Sequence, residues 1–396
     1  MFRKKTTLAV RQLLTATLVL CMTSCAADEN GTDSPQERFD EAVTALRLGQ
    51  DVSGVKETAV TLKKTQGFEE HGRLLSAALQ LKSNDPAGAL RQLQRLRPTG
   101  ELVAPARLWT AEALYRSGLL NDAWVCAAPL VDDPEYAVEG HRWLAAISYD
   151  IGDNVATLHH LQEVIRLAPD DYRPRALAGR MYFDFAQHKA AVRHLAAALE
   201  RNPPAAACQE LALKLARSQM AMHDYKAALS TLTNTDSDAS VLALKSECYE
   251  RLGSNELAHQ ALADALDLDP QCPDVLSRQA DAFLAQSKAD LAAGVLQQLI
   301  ADDPFDHHAR YRLALAYRQL GRNEEADLEA ERVAELKAKY DRLSHLNQQA
   351  IASPDDAEIR YELATLCHEL GRPKLANAWR RAAAAIEEAA SRDLAP

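Results

Sequence analysis

The sequence is short of the residues that punctuate irregular folds and of the motifs that carry catalysis. It has only 15 glycines and 16 prolines among 396 residues. With alanine and leucine dominant, that is an all-helical composition. No G-x-S-x-G, no G-x-x-x-x-G-K and no glycine-rich phosphate loop occurs, so the usual nucleophile and nucleotide sites have nothing to stand on. His368-Glu369 begins an H-E-x-x-H, but Arg372 takes the last position. His159-His160 and His307-His308 are adjacent; neighbours on a helix point about 100° apart and cannot clamp one metal as i, i+4 histidines do. No catalytic residue, metal ligand or cofactor site is therefore expected.

Cysteine pairing is equally thin. Beyond Cys25 the chain has Cys126, Cys208, Cys248, Cys272 and Cys367, an odd number without C-x-x-C spacing. Cys126, Cys248 and Cys367 fall in helical stretches near packing positions, where a thiol acts as a small hydrophobe. A disulfide stays open in an oxidising compartment. Excess positive charge is missing too: the formal net charge is −11, a poor field for nucleic acid or an acidic membrane surface. Nor does the N-terminal apolar run, Leu13 to Met22, reach the roughly 20 residues that span a bilayer.

What is there begins with that run. Arg3, Lys4, Lys5 and Arg11 precede it, the layout of a secretory signal with a charged and then an apolar region. Met22-Thr23-Ser24-Cys25-Ala26-Ala27 resembles a bacterial lipobox, in which small residues precede a cysteine that is lipidated and becomes the new N-terminus. Met22 departs from the leucine common there. The resemblance implies a signal over residues 1–24 and acyl chains on Cys25, enough for stable membrane anchoring. Ala26, not an aspartate, follows, which favours the outer membrane. The alternative is an ordinary signal peptide cut after Ala26 or Ala27, leaving a periplasmic or secreted protein. Residues 25–34 are small, polar and acidic, a flexible tether.

Val241 to Pro270 is two short amphipathic helices separated by Gly253. The layout returns 34 residues later: Tyr249 becomes Phe283, Ala258 becomes Ala292, Leu262 becomes Leu296 and Pro270 becomes Pro304. A helix pair at this period resembles the tetratricopeptide repeat. Aligning small residues places repeat starts near Pro35, Glu70, Ala104, Val138, Tyr172, Gln209, Ala239, Pro273, His307 and Ala357. Gly49, Gly118, Gly152, Gly253, Gly321 and Gly371 mark the turns, where one helix must end and reverse. The resemblance implies a right-handed superhelical solenoid of about ten helix pairs over residues 35–396. The family's tryptophan position is filled by Arg107, His141, Arg175, Arg310 or Arg360.

Between His307 and Ala357 the spacing is 50 rather than 34. Ala326, Ala330, Val333, Leu336, Tyr340, Leu343 and Leu346 step at helical period, so the second helix of that unit should run on to about Ala350, an insertion around 341–356. Its apolar stripe either packs back on the last unit or offers a coiled-coil contact to another chain. The alanine-rich terminal helix could cap the array.

In tetratricopeptide arrays the first helices line an inner groove, and the resemblance implies that their positions 2, 5, 9 and 12 face a ligand. This nominates Arg142, Tyr149, Arg173, Arg180, Phe183 and Arg217, with Tyr311 and Arg318, and beside them Tyr361 and His368, in a second set interrupted by the insertion. Arginine and aromatics on one wall suit an acidic or aromatic-bearing peptide; the other reading is solvated arginines paired with nearby carboxylates. The lysines and asparagines of the family's chaperone carboxylate clamp are missing. The expectation is a non-enzymatic scaffold in the cell envelope that binds a protein or extended peptide, with roles in envelope assembly, secretion or polysaccharide export. The alternative is a soluble receptor for a peptide or glycan.

Overall fold

The computed structural model describes residues 34–49, 52–353 and 356–393; the signal segment, Cys25 and all but the last residue of the tether lie outside them. The described residues form twenty α-helices and no strand. They fall into two compact units, one ending at Pro98 and one starting at Thr99.

The first unit holds α1 (Pro35–Leu48), α2 (Val55–Leu62), α3 (Glu69–Lys82) and α4 (Pro86–Leu93). A capping box starts α1: the Glu37 amide donates to Ser34 Oγ (3.2 Å) and the Ser34 amide to Glu37 Oε2 (2.7 Å), satisfying two amides that the first turn leaves open. Phe39 and Leu46 of α1, Leu62 of α2, and Leu74 and Leu75 of α3 are buried. α3 approaches α2 at Gly72, where a Cβ would sit 2.6 Å from the Ala59 carbonyl oxygen. Only glycine allows that distance.

The second unit stacks eight helix pairs: α5 (Val103–Arg116) with α6 (Leu120–Ala127), α7 (Ala137–Ile151) with α8 (Asn154–Leu167), α9 (Tyr172–Asp184) with α10 (His188–Leu199), and α11 (Ala205–Ala221) with α12 (Tyr225–Thr233). Then follow α13 (Ala239–Arg251) with α14 (Asn255–Leu268), α15 (Pro273–Ala285) with α16 (Ala289–Asp302), α17 (His307–Gln319) with α18 (Asn323–Ala352), and α19 (Ala357–Glu369) with α20 (Pro373–Asp393). The small residues sit between the helices of a pair. Ala191, Ala228 and Ala292 are 0% exposed and Ala258 2%, and a Cβ on Gly179 would meet Leu195 Cγ at 2.7 Å. Each pair then closes on the next through larger side chains, as Leu276, Leu296, Leu313 and Tyr317 do across α15, α16 and α17. A pair alone would leave that face in water, so stacking supplies the stability.

Nine first helices begin within a residue of the expected starts, and one does not. α11 begins at Ala205, not Gln209. Pro203 and Pro204 stop the preceding segment, and Ala205-Ala206-Ala207, strong helix formers, let the helix nucleate directly behind them.

α18 runs for 30 residues. Its second half packs on the last pair: Leu343, Leu346 and Ala350 are buried with Leu363, Cys367, Leu370, Ala376 and Trp379. The stripe is therefore occupied inside the chain and not offered as a coiled-coil seam. Near the base of this three-helix body, Tyr340 Oη donates to the Phe305 carbonyl (3.4 Å) and Arg372 lies over the Tyr340 ring. α20 then returns to α7, where Arg381 Nη2 donates to the Asp150 carbonyl at 3.0 Å. No helix among the described residues is long and apolar enough to cross a membrane.

Candidate partner-binding groove

The first helices of successive pairs are joined by ion pairs on one side. Asp171, the N-cap of α9, accepts from Arg142 Nη2 of α7 at 2.9 Å and from Arg173 Nε at 2.8 Å. Burial alone would raise its pKa, but the side-chain and backbone bonds from Arg173 and the nearby guanidinium charges outweigh that and hold the carboxyl below its ordinary value. With Leu161, Val164 and Leu177 these three line a hollow of about 200 Å³. Arg180 of α9 reaches Glu210 of α11 at 3.4 Å. Phe183 takes Lys214 Nζ over its ring, 4.7 Å from the centroid. Arg217 of α11 skips a pair and meets Asp274 of α15 at 2.7 Å.

A larger pocket, about 710 Å³, opens across α13, α15 and α17 and is lined by Glu250, Arg251, Arg278, Asp281, Leu284, His308, Tyr311, Arg312 and Leu315. Two arginines share one carboxylate in its wall. Arg312 binds Asp281 through Nε (2.6 Å) and Nη2 (3.2 Å), and Arg278 Nη1 reaches the same group at 3.4 Å. Arg278 also pairs with Glu250 at 2.9 Å and touches Ser246 Oγ, whose own proton goes to the Ala258 carbonyl. Its side chain is 9% exposed, and Nε is buried without an acceptor. Such a network fixes side-chain positions, because Arg278 is desolvated and its charge, like that of Arg312, is already paired.

Of the residues nominated from the sequence, Arg142 and Arg173 meet on Asp171, while Arg180, Phe183 and Arg217 follow on the next two first helices. Tyr149 is 46% exposed and Tyr311, in the large pocket, 56% exposed. Arg318 turns to Asp327 of α18, with both side chains largely in solvent. Tyr361 donates to Glu387 of α20. Arg278 and Arg312 were missed. They lie 34 residues apart at position 6 of successive first helices, so their recurrence was visible in the sequence, but the positions implied by the family resemblance do not include it.

The thiols stand apart from the groove chemistry. Burial, with the charge of Glu247, pushes Cys248 up to about 12, and burial pushes Cys367 up to about 11; both are protonated and unreactive near neutral pH. Among the described residues no cluster of three or more His, Cys, Asp or Glu could hold a metal ion.

Stacked helix pairs with a pocketed inner face define a helical-repeat interaction solenoid. Residues 239–272 and 277–341 match sequence profiles of the tetratricopeptide repeat, so the chain carries tetratricopeptide repeats over these stretches. Repeats of this family build protein–protein interaction scaffolds and are in general not catalytic. No curated protein matches the chain. Among solved structures it is similar to the MamA protein, at 19% identity over 42% of this chain and 92% of that one, with a TM-score of 0.29. A tetratricopeptide repeat protein from Parabacteroides merdae shows 14% identity over 63% and 99%, with a TM-score of 0.40. The APC/C hetero-tetramer Cut9-Hcn1 shows 15% identity over 92% and 90%, with a TM-score of 0.37.

Proposed function

We propose that this protein is a lipid-anchored scaffold of the bacterial envelope that holds an extended segment of a partner protein along the inner face of α7 to α17. The observation that carries the reading is the large pocket: two pre-paired arginines, an exposed Tyr311 and apolar Leu284 and Leu315 around about 710 Å³. Arg312, locked on Asp281 through Nε and Nη2 while Arg278 holds the same carboxylate from the other side, presents its remaining Nη1 donor at a fixed position, which lowers the ordering cost of binding a carbonyl or carboxylate. Tyr311 supplies apolar area with a polar tip, the mixture found at interaction hot spots. Lipidation of Cys25, within Met22-Thr23-Ser24-Cys25, would keep this surface at the membrane, outer rather than inner. Its role is that of an adaptor in envelope assembly, secretion or polysaccharide export.

Capture of partners from the native envelope by the full chain tests the groove. Tyr311→Ala combined with Arg312→Glu should lose the captured partner while helicity stays unchanged; recovery at equal yield removes the reading. Radiolabelled palmitate should enter the wild-type chain and not Cys25→Ala. Equal labelling of neither, with the protein found free in the periplasm, would make it a soluble receptor instead.

A further inference from the structure

The contact between α20 and α7 joins parts of the chain 231 residues apart. Its chemistry is small and specific. Asp150 is held from two sides, its carboxylate accepting from Tyr115 Oη of α5 at 2.6 Å and its carbonyl from Arg381 at 3.0 Å. Beside it, Gly152 has φ +86 and presents bare backbone to α20; a Cβ there would lie 3.4 Å from Ala382 Cβ and from Trp379 Cε3. Between them these residues close the path that runs from α7 through the first helices and back through α20.

The body that makes this contact has a core of its own. Leu343, Leu346, Leu363, Cys367, Leu370 and Ala376 are buried among the second half of α18, α19 and α20, so its interior does not depend on α7. Against that interior, the described seat on α7 is small: the Arg381 hydrogen bond and the packing of Trp379 and Ala382 on the Gly152 turn. A body with an independent core and a weak distal seat separates before it unfolds.

From this we infer that the C-terminal body is a clasp: it closes the ring of first helices onto α7 and opens as a unit by parting Trp379, Arg381 and Ala382 from Asp150 and Gly152. Opening gives a partner segment sideways access to the inner face where the closed ring would require it to thread. That access rests on the groove reading above; the clasp itself does not, and it can be read without any partner.

The test uses the full chain labelled with tryptophan fluorinated at the Cε3 position, which places fluorine on the atom facing Gly152. Its 4 tryptophans give separate fluorine resonances, assigned by single Trp→Phe replacements. In Arg381→Glu, and separately in Ala382→Glu, the Trp379 resonance should acquire the solvent isotope shift of an exposed ring. The Trp109 and Trp124 resonances and the helicity should hold. Arg381→Lys, which keeps a donor, should stay closer to wild type than Arg381→Glu. A Trp379 resonance unmoved in both glutamate variants overturns the clasp, since the seat then does not open. Loss of helicity together with the shift also overturns it, because the body would then be melting and not parting.

Discussion

Arg217 and Asp274 form an ion pair at 2.7 Å although a complete helix pair, α13 and α14, lies between them in the chain. A side chain can bridge alternate repeats only if their first helices converge, so the inner face is concave here. The intervening helix carries Ser240 and Ala243 at positions 2 and 5 of its unit, too small to block the span.

Both partners are partly exposed, with side chains at 39% and 27%, so the pair should be worth no more than about 0.5–1 kcal/mol after solvent screening. A double-mutant cycle with Arg217→Ala and Asp274→Ala should return a coupling in that range and shrink with added salt. A coupling of zero at low salt would place the two side chains apart in solution.

The turns carry a sharper expectation. All ten units place one residue of the turn at positive φ: glycine at 49, 118, 152, 253, 321 and 371, but Asn84, Ala186, His223 and Ser287 in the other four. A Cβ in this conformation crowds the carbonyl, and alanine has no side-chain bond to compensate. Ala186→Gly should therefore stabilise the chain by about 0.5–1 kcal/mol even though it removes a methyl group, and Gly253→Ala should destabilise it by about 1 kcal/mol. Denaturant midpoints measure both; a fall in Ala186→Gly contradicts the turn geometry.

His141 and His160 face each other Nδ1 to Nδ1 at 3.0 Å, both buried. One nitrogen must donate and the other accept, so the two rings cannot both be charged. Burial, then the charges of His141 and His159, holds His160 down to about 4, and burial lowers His141. The unfolded chain takes up these protons near 6.5 and the folded one only lower, so stability is complete above pH 6.5 and is lost as pH falls toward 4. Melting temperature should drop across that window in the wild type and drop less in His160→Phe. Equal slopes would show that the pair does not titrate this way.

Arg310 and Glu329 pair at 2.7 Å with side chains only 12% and 9% exposed. Removing Arg310 leaves the buried Glu329 with only the exposed Arg332 as partner, while removing both members of the pair leaves no buried carboxylate. Arg310→Met should cost about 3 kcal/mol, and the double variant Arg310→Met, Glu329→Leu should recover much of the loss. Chemical denaturation distinguishes them; a double variant worse than either single change would mean that the Arg310 bond to the Pro304 carbonyl and the Glu329 bond to Arg332 outweigh the pair itself.

Arg310 also shows how far the sequence could be read. Its position looked like a departure from the family, since tryptophan is usual there. The structure gives it work: Arg310 Nε donates to the Pro304 carbonyl, and Arg175 Nη1 does the same to Pro169, each six residues back. The helix pairs were legible because Ala258, Leu262 and their equivalents recur at a fixed period and must pack. Ala186 and Ser287 hid their turn role because a strained backbone leaves no mark in composition. Arg278 and Arg312 escaped because charged residues on a first helix look solvated until their neighbours are known. The α20 seat on α7 was illegible for another reason: Gly152 reads fully as a turn glycine, and nothing in Arg381 names its distant acceptor.

That seat also orders the folding of the second unit. Most contacts in the array are between helices adjacent in sequence and can form as soon as each pair exists, whereas the Arg381 to Asp150 bond spans 231 residues and can form only after the pairs between them have stacked and set the distance. During synthesis the repeats from α7 to α17 can assemble before α19 and α20 have been made. The inner face is therefore open to solvent, and to any chain already present, until the last helices are complete. A partner that engages the nascent array meets no clasp at all, so the order of synthesis can decide which complexes form without opening the finished protein.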